Sequence, residues 1–169
     1  ASDTPVQKHD HVDLLINSGK VIRFNDPRRF GCVLWADEWA EHKLIQGLGV
    51  EPLTALFTGN YLHKKAKQKK TSVKQFIMNG KLVVGVGNIY ANEALFLAGI
   101  HPAKVVSKVS LIKMNLFVDC IKQVLSEAII QGGTTLKDFV GSDGKPGYFK
   151  QQLNVYGRAG EPCNVCKET

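Results

Sequence analysis

The chain has no run of eighteen apolar residues and no charged-then-apolar leader, so neither a membrane span nor a secretory signal is read, and a soluble, cytoplasmic protein is expected. Internal repeats and low-complexity stretches are also absent. Cysteine is scarce, four in 169 residues, and in a chain of this character thiols or metal ligands are expected before a disulfide framework. Cys32 and Cys120 fall in apolar patterns and read as packing residues. Acidic residues are few, 15 against 22 lysines and arginines, giving a net charge of +7 and a pI near 9.3. That balance favours a polyanionic partner without identifying it. At 44% hydrophobic the chain can bury one good core or two small ones.

The most informative stretch is 81–102, K-L-V-V-G-V-G-N-I-Y-A-N-E-A-L-F-L-A-G-I-H-P. An apolar run turns through Gly85 and Gly87 and starts a helix at Asn88, a favoured N-cap residue. Ile89, Ala91, Ala94, Leu95, Phe96 and Ala98 fit a buried helical face, and Gly99 and Pro102 end it. A helix start preceded by glycines offers bare backbone donors and partial positive charge, which suits a phosphate. An ordinary helical corner with Asn88 as a cap fits the same residues. Two nucleotide motifs are excluded. The third glycine of G-x-G-x-x-G is replaced by Tyr90, and no G-K-[ST] follows the glycines.

Along the chain, residues 9–16 and 21–24 read as a hairpin turned by Asn17-Ser18-Gly19. N-D-P-R-R-F-G, residues 25–31, brackets two arginines and an aromatic with turn formers, and a third strand is expected over 32–35. Residues 37–47 read as a helix, and a domain boundary is placed near Pro52. Helices are then expected over 53–67, 71–78 and 110–131, the last with an apolar stripe from Leu111 to Ile129 that is core. The run K-K-A-K-Q-K-K, residues 64–70, is either a solvated face or a source of attraction to phosphate. Residues 134–149 are glycine-rich and loop-like, a strand is expected over 149–156, and Cys163 and Cys166 form C-x2-C, half the complement of a structural zinc site.

With its flanks, the stretch 85–90 resembles the helix–two-turn–helix of the formamidopyrimidine-DNA glycosylases, bacterial base-excision repair enzymes for oxidised purines. The resemblance runs from about His9 to Cys166. It implies an α+β fold: an antiparallel β-sandwich remnant over 1–52, and a helix–two-turn–helix DNA-binding domain over 53–148 with a lesion-capping loop at 132–148. The first half of a zinc ribbon would follow over 149–169. By the same resemblance Phe30 would wedge into the gap left by a flipped nucleotide and Arg28 would hydrogen-bond the orphaned cytosine. Arg29 would hold phosphate, and His9 would contact the backbone. Lys74 would reach phosphate beside the lesion, Asn88 and Tyr90 would grip the strand on either side of it, and Lys137 would belong to the lesion pocket. Flipping costs a few kcal/mol of unstacking, which an inserted aromatic partly offsets. Arginine supplies a planar fork of donors that lysine cannot reproduce.

The implied whole enzyme excises 8-oxoguanine and formamidopyrimidines through a Schiff base on an N-terminal proline, with a neighbouring glutamate as acid, and nicks the strand by β,δ-elimination. The implied partner is duplex DNA holding an oxidised purine or abasic site, bound by a nucleoid-associated monomer. The implied cofactor is one zinc ion, with Cys163 and Cys166 as two of its ligands. This chain opens Ala1-Ser2-Asp3-Thr4-Pro5 and carries one C-x2-C, so an interior-to-C-terminal piece with the DNA-gripping half and without catalysis is expected. Three alternatives stand beside it: a non-catalytic damaged-DNA binder, an endonuclease VIII-like glycosylase for oxidised pyrimidines, and a basic helical module that docks on proteins. The wording of 134–149 resembles the oxidised-purine branch.

Overall fold

The computed structural model describes residues 4–132 and 153–168. The chain divides into two compact units, Ala1–Trp39 and Ala40–Thr169.

The first unit is a hairpin in which β1 (Asp10–Leu15) pairs antiparallel with β2 (Val21–Asn25). Gly19 closes the turn at φ +74°, where an L side chain would be strained, and its N–H donates to the Ile16 carbonyl at 2.9 Å. Asp13 and Arg23 sit directly opposite one another and form a two-pronged pair, Nε–Oδ1 at 2.8 Å and Nη2–Oδ2 at 2.9 Å. The third strand expected over 32–35 is not formed. A strand needs a ladder partner, and among the described residues this segment has none, leaving Cys32, read from sequence as a packing residue, exposed with Val33, Leu34 and Trp35. No described residue of this unit is buried. The sheet among the described residues is therefore two-stranded, fewer strands than independent stability usually needs.

The second unit is helical. The helix expected over 37–47 is a 3-10 turn (Trp39–Glu41) followed by the short α1 (Lys43–Gln46). Residues 49–50, read from sequence with the strands, dock onto this unit instead. The Gly49 N–H donates to the Gly80 carbonyl at 2.8 Å, Val50 donates to Leu82, and Val84 donates back to Val50 at 3.1 Å. Gly49 lies so close to the Leu82 peptide that a Cβ there would collide with it. α2 (Gly59–Ala66) starts six residues after its expected position at 53, because the Thr58 hydroxyl accepts from the Tyr61 N–H at 3.1 Å and fixes the start. Ser72 caps α3 (Val73–Ile77) and Ser110 caps α5 (Leu111–Ile130) in the same way, while α4 (Asn88–Leu97) runs between them.

α2 and α4 both pack on α5. Phe57, Leu62, Ile77, Leu95, Met114, Phe117 and Ile121 form the fully buried centre. α2 approaches α5 at Gly59, where an added Cβ would meet the Asn115 side chain and would lie 2.6 Å from its backbone nitrogen. The α5 stripe faces inward from Met114 to Ala128, but Ile129 is 65% exposed because the helix end runs past the core. Among the described residues no helix is long and apolar enough to cross a membrane. Residues 153–156 form no strand. The start of that expected strand, Lys137, and the loop from 133 to 148 lie outside the described residues.

Candidate nucleic-acid interface

In the hairpin unit, Arg28, Arg29 and Phe30 share one loop after β2. Phe30 is 81% exposed, so its ring is not packed into a core. The Arg28 guanidinium carbon sits 4.8 Å from the centre of that ring, a cation–π stack. Arg29 takes φ +55°, a left-handed turn position that a non-glycine residue reaches at some cost. The loop is closed by Asp26, whose Oδ2 accepts the Gly31 N–H at 2.7 Å. The Gly31 N–H, chiefly, and those of Arg29, Phe30 and Arg28 hold this carboxyl below the usual carboxylate range. His9 lies in the turn just before β1, not in the strand, and its carbonyl accepts from the Asp26 N–H at 2.9 Å.

In the helical unit, α3 and α4 bring forward Lys74, Asn88 and Tyr90. Lys74 is in the first turn of α3, which is tied to the chain beyond α4: Val73 donates to Lys104 at 2.8 Å and Lys74 to Pro102 at 3.2 Å. Ser72 and Val105 form an antiparallel bridge alongside. The sequence predicts Asn88 as the N-cap of α4. Gly87 holds that place instead, extended at φ −84° and ψ −178°, with its carbonyl accepting the Ala91 N–H at 2.9 Å. Gly85 at φ +75° makes the preceding turn. Asn88 is thus the first helical residue, its side chain exposed and not used as a cap, and no side chain caps the helix start. That leaves backbone donors and the positive end of the helix dipole available to an anion. Tyr90 is half-buried against the core.

Behind this corner Glu93 is 2% exposed, a buried charge within α4. Its carboxylate accepts three backbone N–H groups, from Asn154 at 2.7 Å, Val155 at 3.0 Å and Tyr156 at 2.9 Å. It therefore joins α4 to the segment leading into the cysteine loop. Sequence reasoning passes over Glu93; the signal available is a carboxylate beside the small residues Ala91 and Ala94 of an inward face. At the other end of α4, the Lys113 ammonium donates to the Ala98 carbonyl at 2.9 Å.

Cys163 and Cys166 lie on one tight loop, closed by Cys163 N–H to the Glu168 carbonyl at 2.7 Å and Lys167 N–H to the Cys163 carbonyl at 3.0 Å. The Cys163 sulfur accepts the Val165 N–H at 3.4 Å. Backbone N–H groups of Cys166, foremost, and Val165 pull this thiol below its ordinary range, favouring the thiolate that zinc requires. Donor chemistry and loop geometry fit half of a structural zinc site. Among the described residues no group of three or more metal-ligating side chains is assembled.

Residues 48–140 match the family model described as the formamidopyrimidine-DNA glycosylase H2TH domain. A formamidopyrimidine-DNA glycosylase of Photobacterium profundum is 60% identical over 162 residues, 96% of this chain and 60% of that protein. One from Escherichia coli is 58% identical over 164 residues, 97% of this chain and 61% of its own length. The chain spans about three fifths of the length of these curated relatives. Among solved structures, the MutM (Fpg) protein of Thermus thermophilus superposes with a TM-score of 0.86 at 33% identity, covering 97% of this chain and 63% of that one. Lactococcus lactis Fpg in complex with DNA containing an abasic site superposes at 0.83 and 32% identity, covering 98% and 61%.

Proposed function

Since this chain belongs to the formamidopyrimidine-DNA glycosylase family, we propose that the whole protein is a base-excision repair glycosylase and lyase for oxidised purines. In this reading the present chain supplies the grip on duplex DNA. The observation that carries the reading is the start of α4: a glycine N-cap without a side-chain cap, an exposed Asn88, and Lys74 on the neighbouring helix, all inside the region that matches the H2TH domain. Lys74 and the α4 start would take backbone phosphates, which position without reading sequence. Arg28 and Phe30 would fill the gap in the stack. Lactococcus lactis Fpg has been solved with abasic-site DNA, and a mutant of it with Fapy-dG containing DNA. The same class of partner, bound by a monomer in the bacterial cytoplasm, is proposed here.

The finer architecture belongs to the proposal too. α3 and α4 act as the helix–two-turn–helix, the hairpin as part of a β-sandwich, and 153–168 as half of a zinc ribbon. Cys163 and Cys166 would supply two of four ligands to one zinc ion, which would brace the loop without taking part in the reaction. Lys137 keeps its proposed place beside the lesion. The Schiff base and β,δ-elimination are proposed for the whole protein.

The test is fluorescence anisotropy of this chain on an 8-oxoguanine duplex and a matched undamaged duplex across a salt series. Tighter binding to the lesion duplex is expected. Lys74→Ala should weaken both duplexes alike and lower the salt slope by about 1. Asn88→Ala should weaken both as well. Equal affinity for the two duplexes with wild-type protein, or an unchanged slope in Lys74→Ala, would refute the reading.

A further inference from the structure

We propose that Asp26 is the positioning residue of the insertion loop, holding Arg28 and Phe30 in the form that enters a duplex gap without touching DNA itself. The inference rests on the recognition role proposed above for that loop.

Phe30 is 81% exposed and outside any core, with the Arg28 guanidinium of the same loop stacked on its ring, so the loop backbone sets where both side chains point. Asp26 fixes that backbone at both ends of the loop. Its N–H donates to the His9 carbonyl at 2.9 Å, and its own carbonyl lies 3.1 Å from His11 Nε2 and accepts the Arg29 N–H at 3.3 Å. Its carboxylate reaches over the tip to the Gly31 N–H at 2.7 Å. Gly31 in turn sits under the Phe24 ring of β2, where a Cβ would come within 2.7 Å of Cζ. Residues 28–30 are thus suspended between two points attached to the hairpin, and the left-handed Arg29 is held between them. Pro27 has no N–H to compete for the carboxylate, and its fixed φ suits the second position of a turn. A carboxylate serves this role better than a hydroxyl or amide because charge-assisted bonds to backbone N–H groups are stronger. A loop ordered in advance enters the stack without losing conformational entropy at the moment of binding.

The test measures lesion preference, the ratio of affinities for an 8-oxoguanine duplex and its undamaged match, for wild type, Asp26→Ala, Asp26→Asn, Phe30→Ala and the double variant Asp26→Ala/Phe30→Ala. Asp26→Ala should lower the ratio about tenfold, with undamaged-duplex affinity changed by no more than about twofold. Asp26→Asn, which keeps one acceptor oxygen, should retain part of the preference. The double variant should be no worse than the poorer single variant, because the two changes remove the same insertion. Loss of preference in Phe30→Ala with none in Asp26→Ala would overturn the positioning role and leave the recognition reading intact. No loss in either would sink both. Equal weakening on both duplexes would assign Asp26 to the fold of the hairpin and overturn the proposal. Where Asp26→Ala does not fold, Asp26→Asn decides: unchanged preference and unchanged amide exchange at Gly31 would overturn it.

Discussion

Replacing Glu93 tests the joint between α4 and the segment that enters the cysteine loop. One carboxylate oxygen takes the N–H groups of Val155 and Tyr156, and the other takes that of Asn154. Glutamine keeps an oxygen for one side and turns an NH2 toward a backbone donor on the other. If the oxygen keeps its two partners, the Asn154 N–H loses its acceptor in a site that is 2% exposed. An orphaned buried donor costs about 1–3 kcal/mol, and two bonds reduced from charged to neutral lose roughly 1 kcal/mol each. Glu93→Gln should therefore destabilise the helical unit by about 3–5 kcal/mol, a large part of a typical domain's stability. Glu93→Ala strands all three donors and should cost at least as much. Urea unfolding gives the free energy, and amide hydrogen exchange at Asn154, Val155 and Tyr156 gives the location. Protection at those three amides should fall further than at the α5 core. A Glu93→Gln protein within about 0.5 kcal/mol of wild type, with the three amides still protected, would refute the reasoning.

Gly59→Ala should destabilise the protein by about 1–3 kcal/mol, because a methyl group cannot fit against the Asn115 backbone without moving α2 off α5; thermal denaturation measures it, and an unchanged midpoint would contradict the close crossing. Cys163 should be alkylated by iodoacetamide faster than Cys120 at neutral pH, read by peptide mass mapping. Its depressed thiol leaves thiolate present below the ordinary thiol range, and the reactivity should be lost only as pH falls through that lowered value. Burial pushes the Cys120 thiol the other way, so its modification should require higher pH or unfolding. Added Zn2+ should slow the Cys163 reaction if the proposed ligation holds.

Where local chemistry decides structure, the sequence could be read. Gly19 sets the hairpin turn, the helix expected over 110–131 forms as α5, and its apolar stripe points inward over most of its length. Where a partner decides, it could not. Residues 32–35 have the residues of a strand, but a ladder has two sides. Val50 takes its neighbours from 82–84, far along the chain, so the residues around Pro52 join the helices. The loop residues Arg28, Arg29 and Phe30 are legible as a group because turn formers bracket them, yet Asp26 looks like one of those turn formers and nothing more. Glu93 is invisible for a related reason. A carboxylate on a helix normally faces water, and its three partners lie about sixty residues away.

The helix that starts at Asn88 is the one among α2 to α5 whose first turn no side chain closes. If a phosphate completes that turn, the same hydrogen bonds serve helix formation and association at once. Free protein and complex then make opposite demands on position 87. A serine or aspartate there would strengthen the resting molecule by doing internally what a bound phosphate would do from outside, and such a gain would be subtracted from the proposed grip. Under the proposed function, glycine leaves that first turn to be completed by the phosphate, so that the bound partner would supply the cap that the chain withholds.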